Sequence, residues 1–364
     1  IIMIDSKIML LLSIHLILII LGLFYKKSKF IYIIQCFWII ILYGYNSGGT
    51  DYLSNQNIFI SAKPHIGLYD MLTDNLSYLM KLRGIDFVHY NLIIGTSLLI
   101  ILFIFIRKIT EGSNFVISLI MIYPFVEFVS QKRFFYCMIL IIIAIYFLNR
   151  RDKIGYISYA LLVFLAMQFH QSAAIYFIFL IYFILPTKYR IKVFVFGTLA
   201  CSVFYKYIPK ILSDVVRTDK AELYFVTLAE SSSFIKFIFW AALHICYIWL
   251  FRMFCKSQLK TENYELCKKV MDYNYISLAF IPFYNFDPVF FRLYRAIIIW
   301  NYICLSKYVV HRRHYITNNK LKYILLQTSL CIFTFVVFYV MVGIGFDLQV
   351  LSIFKYNELL NKMF

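Results

Sequence analysis

The chain has 364 residues, of which 62% are hydrophobic and only 15% are charged, and its mean hydropathy is +0.78. Soluble globular chains are about 45–50% apolar and about 25% charged, so this composition excludes a single soluble core. The net charge of +18 would indicate nucleic acid binding in a soluble protein. In a membrane protein, basic loops that face anionic lipid account for it, and we expect no nucleic acid partner.

Apolar blocks of about 15–22 residues recur along the chain, and about 20 residues of helix cross a bilayer. The first block is read as the first helix, and we predict no secretory signal peptide. The fold class predicted is all-α: a polytopic, multi-pass integral membrane protein with about 12 transmembrane helices. In chain order these helices lie near 8–24, 30–45, 89–106, 113–128, 134–148, 155–169, 172–186, 193–208, 234–251, 271–286, 289–306 and 323–342.

The loops between these helices alternate in charge. If the N-terminus is outside, every inner loop is short and carries net positive charge, as the positive-inside rule requires. The outer loops 46–88 and 209–233 instead balance their basic residues with acidic ones. No internal repeat or linker is visible, so we expect residues 1–364 to form a single transmembrane domain. The inner loops are 25–29, 107–112, 149–154, 187–192, 252–270 and 307–322.

The eight cysteines do not form a recognisable framework. Most lie inside apolar blocks, where cysteine acts as a small packing residue. Cys255 and Cys267 share a basic loop, but their spacing fits no zinc pattern. We expect no disulfide, no metal and no cofactor.

A charge-free stretch runs from residue 154 to 187. As one helix it would be about 51 Å long, too long for one ordinary span. Two short helices that meet near Phe169–Ser172 fit better, and they place His170 at an outer turn. Gln168 and Gln171 flank it. The ring is either a packing residue satisfied by these amides or a general base, since free imidazole titrates near pH 6.5.

The first outer polar cluster is YGYNSGGTDYLSNQ, residues 43–56. Its Gly48–Gly49 pair allows a tight turn, while Asn46 and Asp51 supply an amide and a carboxylate. The cluster is either a helix end followed by a solvated loop or part of a binding site. The region Ile58–Phe87 that follows is weakly amphipathic, which is compatible with a helix lying on the outer surface.

The second cluster is EFVSQKRFF, residues 127–135. Gln131, Lys132 and Arg133 precede the fifth apolar block, where cations are either snorkelling anchors or ligands for an anion. The planar guanidinium of Arg133 suits a diphosphate. Glu127 lies at the membrane boundary, where a carboxylate is costly and is a functional candidate.

The third cluster is NFDPVFFRLYRAIIIW, residues 285–300. Arg292 and Arg295 are three residues apart and so share a helix face. An Arg in mid-membrane costs about 2.5–3.5 kcal/mol on the insertion scale. The pair therefore indicates a water-filled cavity or an anionic ligand, or else pairing with Asp287, Glu127 or another internal carboxylate.

Four elements occur in a characteristic order: NSGGTDY, QKRFF, FHQSA at residues 169–173, and FFRLYRA. Together they resemble the EpsG-like family of bacterial polysaccharide polymerases, which are related in role to the Wzy O-antigen and capsule polymerases. The family usually has a longer acidic loop with a D-x-x-x-Y pattern after the second helix. Here Asp51 is followed directly by Tyr52, so that element matches only in part.

The resemblance implies a glycosyltransferase in the plasma (bacterial inner) membrane with a GT-C-like arrangement of helices. It would transfer a growing polyprenyl-diphosphate-linked glycan onto a new lipid-linked repeat unit on the outer face, without metal or nucleotide sugar. Besides the lipid-linked oligosaccharide and membrane lipid, the resemblance makes a chain-length regulator and other membrane proteins of the pathway plausible partners.

Charge placement and the resemblance together suggest roles for the polar residues. Fixed cations stabilise a leaving diphosphate, and a base must accept the proton of the acceptor hydroxyl. We expect His170 to be the base, with Asp51 or Glu127 as alternatives. The expected diphosphate ligands are Arg133, Arg292, Arg295 and Lys132, and the expected glycan-binding residues are Asn46, Gln131, Gln168 and Gln171.

Two other functions remain open from the sequence. A lipid-linked oligosaccharide flippase also has about twelve helices and a basic cavity, but its charges should line a path from both faces. A membrane O-acyltransferase also uses an intramembrane histidine, commonly in the first helix with a preceding arginine. His15 lies in the first helix here, but no arginine precedes it, which favours a packing role.

Overall fold

The computed structural model describes residues 6–212, 233–258, 263–311 and 320–363. Over these ranges the secondary structure is helical, and the only strand-like contact is an isolated bridge between Asn46 and Asn357. Most of the predicted outer loop 209–233, and the middle of the predicted inner loops 252–270 and 307–322, lie outside the described residues.

The described residues from Ser6 to Val203 form eleven α-helices, and a 3-10 segment, Gln171–Phe177, precedes the tenth. The helices are α1 Ser6–Phe24, α2 Lys29–Gly44, α3 Tyr52–Ser61, α4 Met71–Leu82, α5 Phe87–Ile109, α6 Ser113–Ile122, α7 Phe125–Ser130, α8 Lys132–Leu148, α9 Lys153–Met167, α10 Ile178–Ile184 and α11 Arg190–Val203.

The second half contains more 3-10 structure. After the 3-10 turn Tyr205–Tyr207 come α12 Ile208–Leu212, α13 Phe234–Ser257 and α14 Tyr264–Ile276. Two 3-10 segments, Ser277–Asn285 and Pro288–Tyr294, lead into α15 Arg295–His311 and then α16 Lys320–Val342. A 3-10 turn, Gly343–Gly345, and a π-helical turn, Asp347–Leu351, precede α17 Ser352–Lys355 and α18 Glu358–Met363.

Several helices are apolar and long enough to cross a membrane, which confirms an all-α integral membrane protein. Among the described residues, five segments qualify by length and composition: Ser6–Phe24, Phe87–Ile109, Phe234–Ser257, Pro288–Val310 and Ile324–Val342. Shorter apolar helices are Lys29–Gly44, Ser113–Ile122, Lys153–Met167 and Gln171–Ile184. The number of about 12 spans stays a prediction.

Most helix positions agree with the apolar blocks, but two blocks are broken by proline. The predicted helix 113–128 ends as α6 at Ile122, before Tyr123–Pro124, and restarts as α7. The predicted helix 271–286 continues as 3-10 structure that contains Pro282. Proline lacks the N–H that a helix needs and restricts the residue before it, so both breaks follow from local chemistry.

The charge-free stretch 154–187 forms two helical parts, as predicted. α9 ends at Met167 and the next helical segment begins at Gln171, so His170 lies in the turn between them. The surface region Ile58–Phe87 is also helical in part: α3 extends into it and α4 lies within it.

The chain divides into two compact units. The first comprises Ile1–Ala174, Tyr302–Asn318 and Cys331–Phe364, and the second comprises Ile175–Asn301 and Asn319–Leu330. In the first unit, α6 is buried along its whole length and α8 along most of its length. Both are enclosed by protein on nearly all sides, which is the pattern of a central helix. The expected single transmembrane domain stays a prediction.

Neighbouring helices in each unit surround these central elements. In the first unit α6 packs against α1 and α2, while α8 packs against α5 and α9. α1 and α5 expose large apolar side chains on the opposite side, as helices facing lipid do. In the second unit α11, α13 and α14 pack against the 3-10 segment Ser277–Asn285.

Candidate functional site

Backbone hydrogen bonds in the first unit fasten the loop before α4 to the turn that carries His170. The N–H of Asp70 donates to the carbonyl of Met167 at 3.1 Å. The carbonyl of Gln168 accepts from the N–H groups of Leu72 and Thr73 at 3.0 and 3.2 Å. These main-chain contacts therefore hold together two segments that lie far apart in the chain, with 100 residues from Leu68 to Gln168.

Asp70 lies directly before α4 and pairs with Arg133. A carboxylate oxygen of Asp70 lies 3.5 Å from a guanidinium nitrogen of Arg133. The side chains are 1% and 12% exposed, so the pair is largely removed from water. Asp70 has a φ of 58°, a left-handed conformation that aspartate tolerates better than most residues. The pair links the QKRFF segment to the loop before α4.

Asp70 was not among the candidates from the sequence, where it counted only toward the charge of an outer loop. Aspartate is favoured directly before a helix, and Asp70 precedes the amphipathic stretch that becomes α4. That signal predicts a helix start but gives no reason to expect an arginine partner 63 residues away.

His170 sits in the turn between α9 and the next 3-10 segment, half-buried against α8. Its ring meets the ring of Phe134 edge-on, with 5.6 Å between centroids. Its Nδ1 accepts from the backbone N–H of Ser172 at 3.2 Å and lies 2.8 Å from the Ser172 hydroxyl. A backbone N–H can only donate, so Nδ1 is unprotonated in this geometry and the neutral ring carries its proton on Nε2.

The flanking glutamines do not make the contact with the ring nitrogens that the sequence suggested. The amide nitrogen of Gln168 donates to the carbonyl of Leu68 at 2.8 Å, which adds a fourth bond between the turn and the segment around the start of α4. Ser172 occupies Nδ1 instead. Gln171 is half-buried, and the oxygen of its side-chain amide has no hydrogen bond partner among the described residues.

Lys132 is buried, with 1% of its surface exposed. Its ammonium group donates to the carbonyl of Tyr43 at 3.3 Å and lies 4.7 Å from the centre of the Tyr43 ring. In the part of the chain that the structure describes, no carboxylate lies at ion-pair distance from it. This burial favours a role in holding the C-terminal end of α2 over direct contact with a diphosphate.

The loop after α2 makes the tight turn predicted from its two glycines. Gly49 has a φ of 108°, which a side chain would strain. A Cβ at Gly48 would lie 2.3 Å from the ring of Tyr356. The N–H of Ser47 donates to the carbonyl of Tyr356 at 2.8 Å, and that of Glu358 to the carbonyl of Tyr45 at 2.9 Å.

Two candidates in this loop are positioned differently. Asn46 is 1% exposed, and neither polar atom of its side chain has a hydrogen bond partner in the described parts. Asp51 is half-buried at the start of α3. One turn later, the amide nitrogen of Asn55 lies 3.4 Å from the carbonyl of Ser130, which joins α3 to the segment before Gln131.

The remaining candidates of the first unit lie between α7 and α8. Glu127 is buried, with 5% of its surface exposed, and its carbonyl accepts from the N–H of Gln131 at 2.8 Å. Gln131 is half-buried at the start of α8.

Beside Arg133 lies a small cavity with room for about one water molecule. It is lined mainly by Asn55, Ile58, Phe59, Thr73, Ser77, Phe87, Tyr90, Asn91, Lys132, Arg133 and Tyr136.

Arg292 and Arg295 belong to the second unit and are 6% and 0% exposed. Arg292 lies in a 3-10 segment whose start is capped by Asp287, which accepts from the N–H of Val289 at 2.6 Å. Burial raises the pKa of Asp287, although Arg292 and Lys236 lie close enough to favour its charged form. Asp287, one of the partners left open by the sequence, therefore lies near enough to Arg292 to attract it, although the two side chains are not at ion-pair distance.

A buried polar network supports this segment, and sequence reasoning missed it. The ring nitrogens of His244 hydrogen bond to the hydroxyls of Tyr284 at 2.7 Å and Ser277 at 2.9 Å. The ring packs 3.9 Å from that of Tyr294, whose hydroxyl donates to Asn274. A signal in the sequence could have found this network, because His244 and Asn274 are polar residues within or beside apolar blocks, where such residues are rare.

The network joins two 3-10 segments, 277–285 and 288–294, through side-chain contacts. His244, from α13, contacts residues on both segments. The network thereby fixes the residues on either side of Tyr294, which are Leu293 and Arg295.

The other titratable candidates are a packed histidine and the cysteine thiols. His15 is buried: the indole N–H of Trp38 donates to its Nδ1 at 3.1 Å, and its Nε2 lies 3.3 Å from the carbonyl of Met121. None of the eight cysteines, all within the described ranges, forms a disulfide. In the described ranges, no group of three or more His, Cys, Asp or Glu side chains is arranged to hold a metal ion.

Comparison with known proteins gives one match. The model of the EpsG family matches residues 29–357, a range that includes both arginine clusters and the turn at His170. Searches of curated proteins and of solved structures give no match. The family match covers most of the chain and confirms the resemblance drawn from its four motifs. The chain belongs to the EpsG family, whose members are Wzy-like polysaccharide polymerases.

Proposed function

We propose that this protein is a glycosyltransferase that polymerises lipid-linked repeat units on the outer face of the plasma membrane. It moves a growing polyprenyl-diphosphate-linked glycan onto the acceptor sugar of a new unit, in O-antigen or capsule synthesis. The observation that carries the proposal is the cluster in the first unit, where Asp70 pairs with Arg133 and the QKRFF and FHQSA segments meet at Phe134 and His170.

The reaction joins an acceptor hydroxyl oxygen to the anomeric carbon of the growing glycan. The bond from that carbon to the diphosphate breaks, the diphosphate leaves with the electron pair, and the hydroxyl proton passes to a base. Arg133 offers a planar set of donors for the leaving phosphate oxygens. Asp70 holds the guanidinium in place, so little reorganisation is needed when the charge develops.

His170 has two possible roles in this scheme. With Nδ1 engaged by Ser172, the ring donates through Nε2–H to a substrate oxygen, and a carboxylate such as Asp51 or Glu127 is the base. If the turn shifts so that both the backbone N–H and the hydroxyl of Ser172 leave Nδ1, Nδ1 accepts the hydroxyl proton instead. A His170→Gln variant separates the roles, because its amide N–H can donate to a substrate oxygen but cannot act as a base.

The second unit supplies further cations in the same proposal. Arg292 and Arg295 are buried on one segment beside Asp287, and we propose that they bind the diphosphate of one of the two lipid-linked substrates. Asn46, Gln131, Gln168 and Gln171 remain proposed glycan contacts. Lys132 is reassigned to positioning because its ammonium group is buried against Tyr43. No metal or cofactor enters the scheme.

The proposed topology has about twelve spans with an outer N-terminus, and the positive charge of the short loops supports it. Single cysteines at exposed Lys63 and Arg150 test it in a variant that lacks the native cysteines. We expect an impermeant maleimide to label the cysteine at 63 in intact cells and the one at 150 only after the membrane is opened. Labelling of both in intact cells would contradict the topology.

The function is tested in a polymerase-null strain by gel analysis of polysaccharide length. We expect Arg133→Ala and His170→Ala to abolish the long ladder, while the exposed controls Arg150→Ala and His89→Ala keep it. Arg292→Lys probes geometry, since lost activity with charge retained indicates a bidentate contact. Wild-type ladders from Arg133→Ala and His170→Ala would remove both residues from the mechanism.

The same strain distinguishes the alternative functions. A strain without a polymerase displays single repeat units on its surface, whereas a strain without a flippase displays none. Absence of surface units in the null strain would therefore favour a flippase. The contacts of His15 with Trp38 and Met121 are those of a packed residue and give no support to an O-acyltransferase. A chain-length regulator remains a proposed partner.

A further inference from the structure

The second unit contains an apolar cavity of about 400 Å³ that the polar clusters do not use. α10, α11 and the 3-10 segment Ser277–Asn285 form its walls, with Ile178, Ile181, Phe194, Pro282 and Phe283 among the lining side chains. None of the lining residues is charged. The volume lies in the range of about 300–1,000 Å³ that ligand sites occupy.

The cavity follows one face of α11. Val193, Gly197 and Cys201 line it and are spaced four residues apart, which places them on one side of the helix. Between the first and the last of them the helix rises about 12 Å. The space is therefore elongated along the helix and suits a chain-like apolar ligand better than a compact one.

One end of the cavity is basic and lies near the turn that leads to Arg292. Ile208 lines that end, and exposed Lys206 and Lys210 flank it in the chain. The ring of Tyr205, next to Lys206, packs 5.5 Å from the ring of Phe286. The proposed topology places this end on the outer side of the membrane.

Apolar walls and a cationic mouth are complementary to an amphipathic anion. A hydrocarbon chain in the cavity loses contact with water or annular lipid, and its phosphate meets exposed lysines, with which surface contacts are modest but favourable. A ligand with an uncharged head would not gain this charge contact.

We propose that this cavity holds the first isoprene units of the lipid carrier, with the diphosphate at the Lys206 and Lys210 end. The proposal rests on the proposed function, which requires a polyprenyl diphosphate, and it adds a binding site for the carrier chain. The headgroup then lies beside the turn at residues 286–288, which begins the segment that carries Arg292 and Arg295.

Gly197 makes the proposal testable without damage to the fold. A Cβ built there meets nothing within 4 Å, and its φ is not in the left-handed range. A larger side chain therefore enters the cavity without a clash, and loss of a helix-interior glycine is favourable. Gly197→Phe fills the cavity. Leu199→Phe is the matched control, because Leu199 lies on the same helix, is 58% exposed and does not line the cavity.

The probe is farnesyl diphosphate that carries a diazirine on its chain. It is added to the purified full chain in phosphatidylcholine nanodiscs, and labelled peptides are mapped by mass spectrometry. We expect labelling within residues 193–201 and 279–283, reduced about tenfold by Gly197→Phe and unchanged by Leu199→Phe. Lys206→Ala and Lys210→Ala should each reduce it about two- to fivefold, as exposed charge contacts do.

Competition identifies the ligand. Unlabelled farnesyl diphosphate should suppress labelling, and phosphatidylglycerol should not. Equal competition by phosphatidylglycerol would overturn the proposal, and so would labelling that Gly197→Phe leaves unchanged. Polysaccharide ladders of wild-type length from a Gly197→Phe chain that no longer labels would also overturn it. Labelling needs no turnover, so a chain that labels as expected but makes no polymer refutes the proposed function and supports the binding site.

Discussion

The pair between Asp70 and Arg133 makes the most direct prediction. Asp70→Asn removes the negative charge but keeps the shape, and asparagine also tolerates the left-handed backbone at this position. Arg133 then lies 12% exposed beside an amide. We expect a loss of stability together with a loss of polymer, because the guanidinium is held in place by this carboxylate.

The separation of 3.5 Å sets the magnitude. At an effective dielectric constant of about 20, the attraction is about 5 kcal/mol before desolvation is counted. Removing one partner of a buried pair costs about 3–5 kcal/mol, because the other charge is left buried. For a unit of this size, that corresponds to a melting temperature lower by roughly 6–20 °C.

The assay is thermal unfolding of the purified chain in detergent, monitored by the loss of the monomer peak. Asp86→Asn is the matched control: Asp86 pairs with His89 at an exposed helix start, where both side chains are 63% exposed. Its effect should be small, since exposed pairs contribute little. The double variant Asp70→Asn with Arg133→Gln should be more stable than the sum of the single losses predicts, by about 1–3 kcal/mol. Equal melting temperatures for Asp70→Asn and Asp86→Asn would refute the reasoning.

Three further predictions concern other parts of the chain. His244→Phe keeps an aromatic ring but removes the hydrogen bond to Tyr284, so unfolding should become easier by about 1–3 kcal/mol, and an unchanged melting temperature would contradict the network. Gly48→Ala places a methyl group 2.3 Å from Tyr356, so it should lower the stability of the folded chain. Tyr356→Ala in the same chain should restore part of that loss, and no recovery would place the strain elsewhere. Burial raises the pKa of Asp287, so its charged form is disfavoured in the folded state and its contribution to stability rises as the pH falls through the raised pKa. The melting temperature of the wild type relative to that of Asp287→Asn should therefore increase as the pH falls from neutral toward the ordinary range of a carboxyl group. A parallel response of the two chains would count against this effect.

The class of the protein and the position of most helices follow from the amino-acid sequence alone. An apolar excess of this size requires lipid, and blocks of helical length leave little freedom in where the helices lie. The charge-free stretch also predicted the turn at His170, because one helix of that length would overrun the bilayer. The four short motifs, read in order, were sufficient to identify the family.

The tertiary structure decided which polar residues meet. Asp70 had no distinguishing pattern, and its pairing with Arg133 depends on main-chain bonds between the loop before α4 and the turn at residues 167–169. Lys132 and Arg133 are adjacent in the chain, yet one is buried against Tyr43 and the other reaches Asp70. Successive residues of a helix point about 100° apart, so neighbours in sequence receive different surroundings.

The same distinction applies to His170 and to the apolar cavity. The sequence suggested glutamines as partners of the ring, but the tight turn brings Ser172 to Nδ1 and so fixes the tautomer. The cavity along α11 is formed by residues from four segments of the chain, none of which is unusual alone. Composition and periodicity determine how much surface must be buried and in which elements, whereas the pairing of side chains depends on long-range packing that no local pattern records.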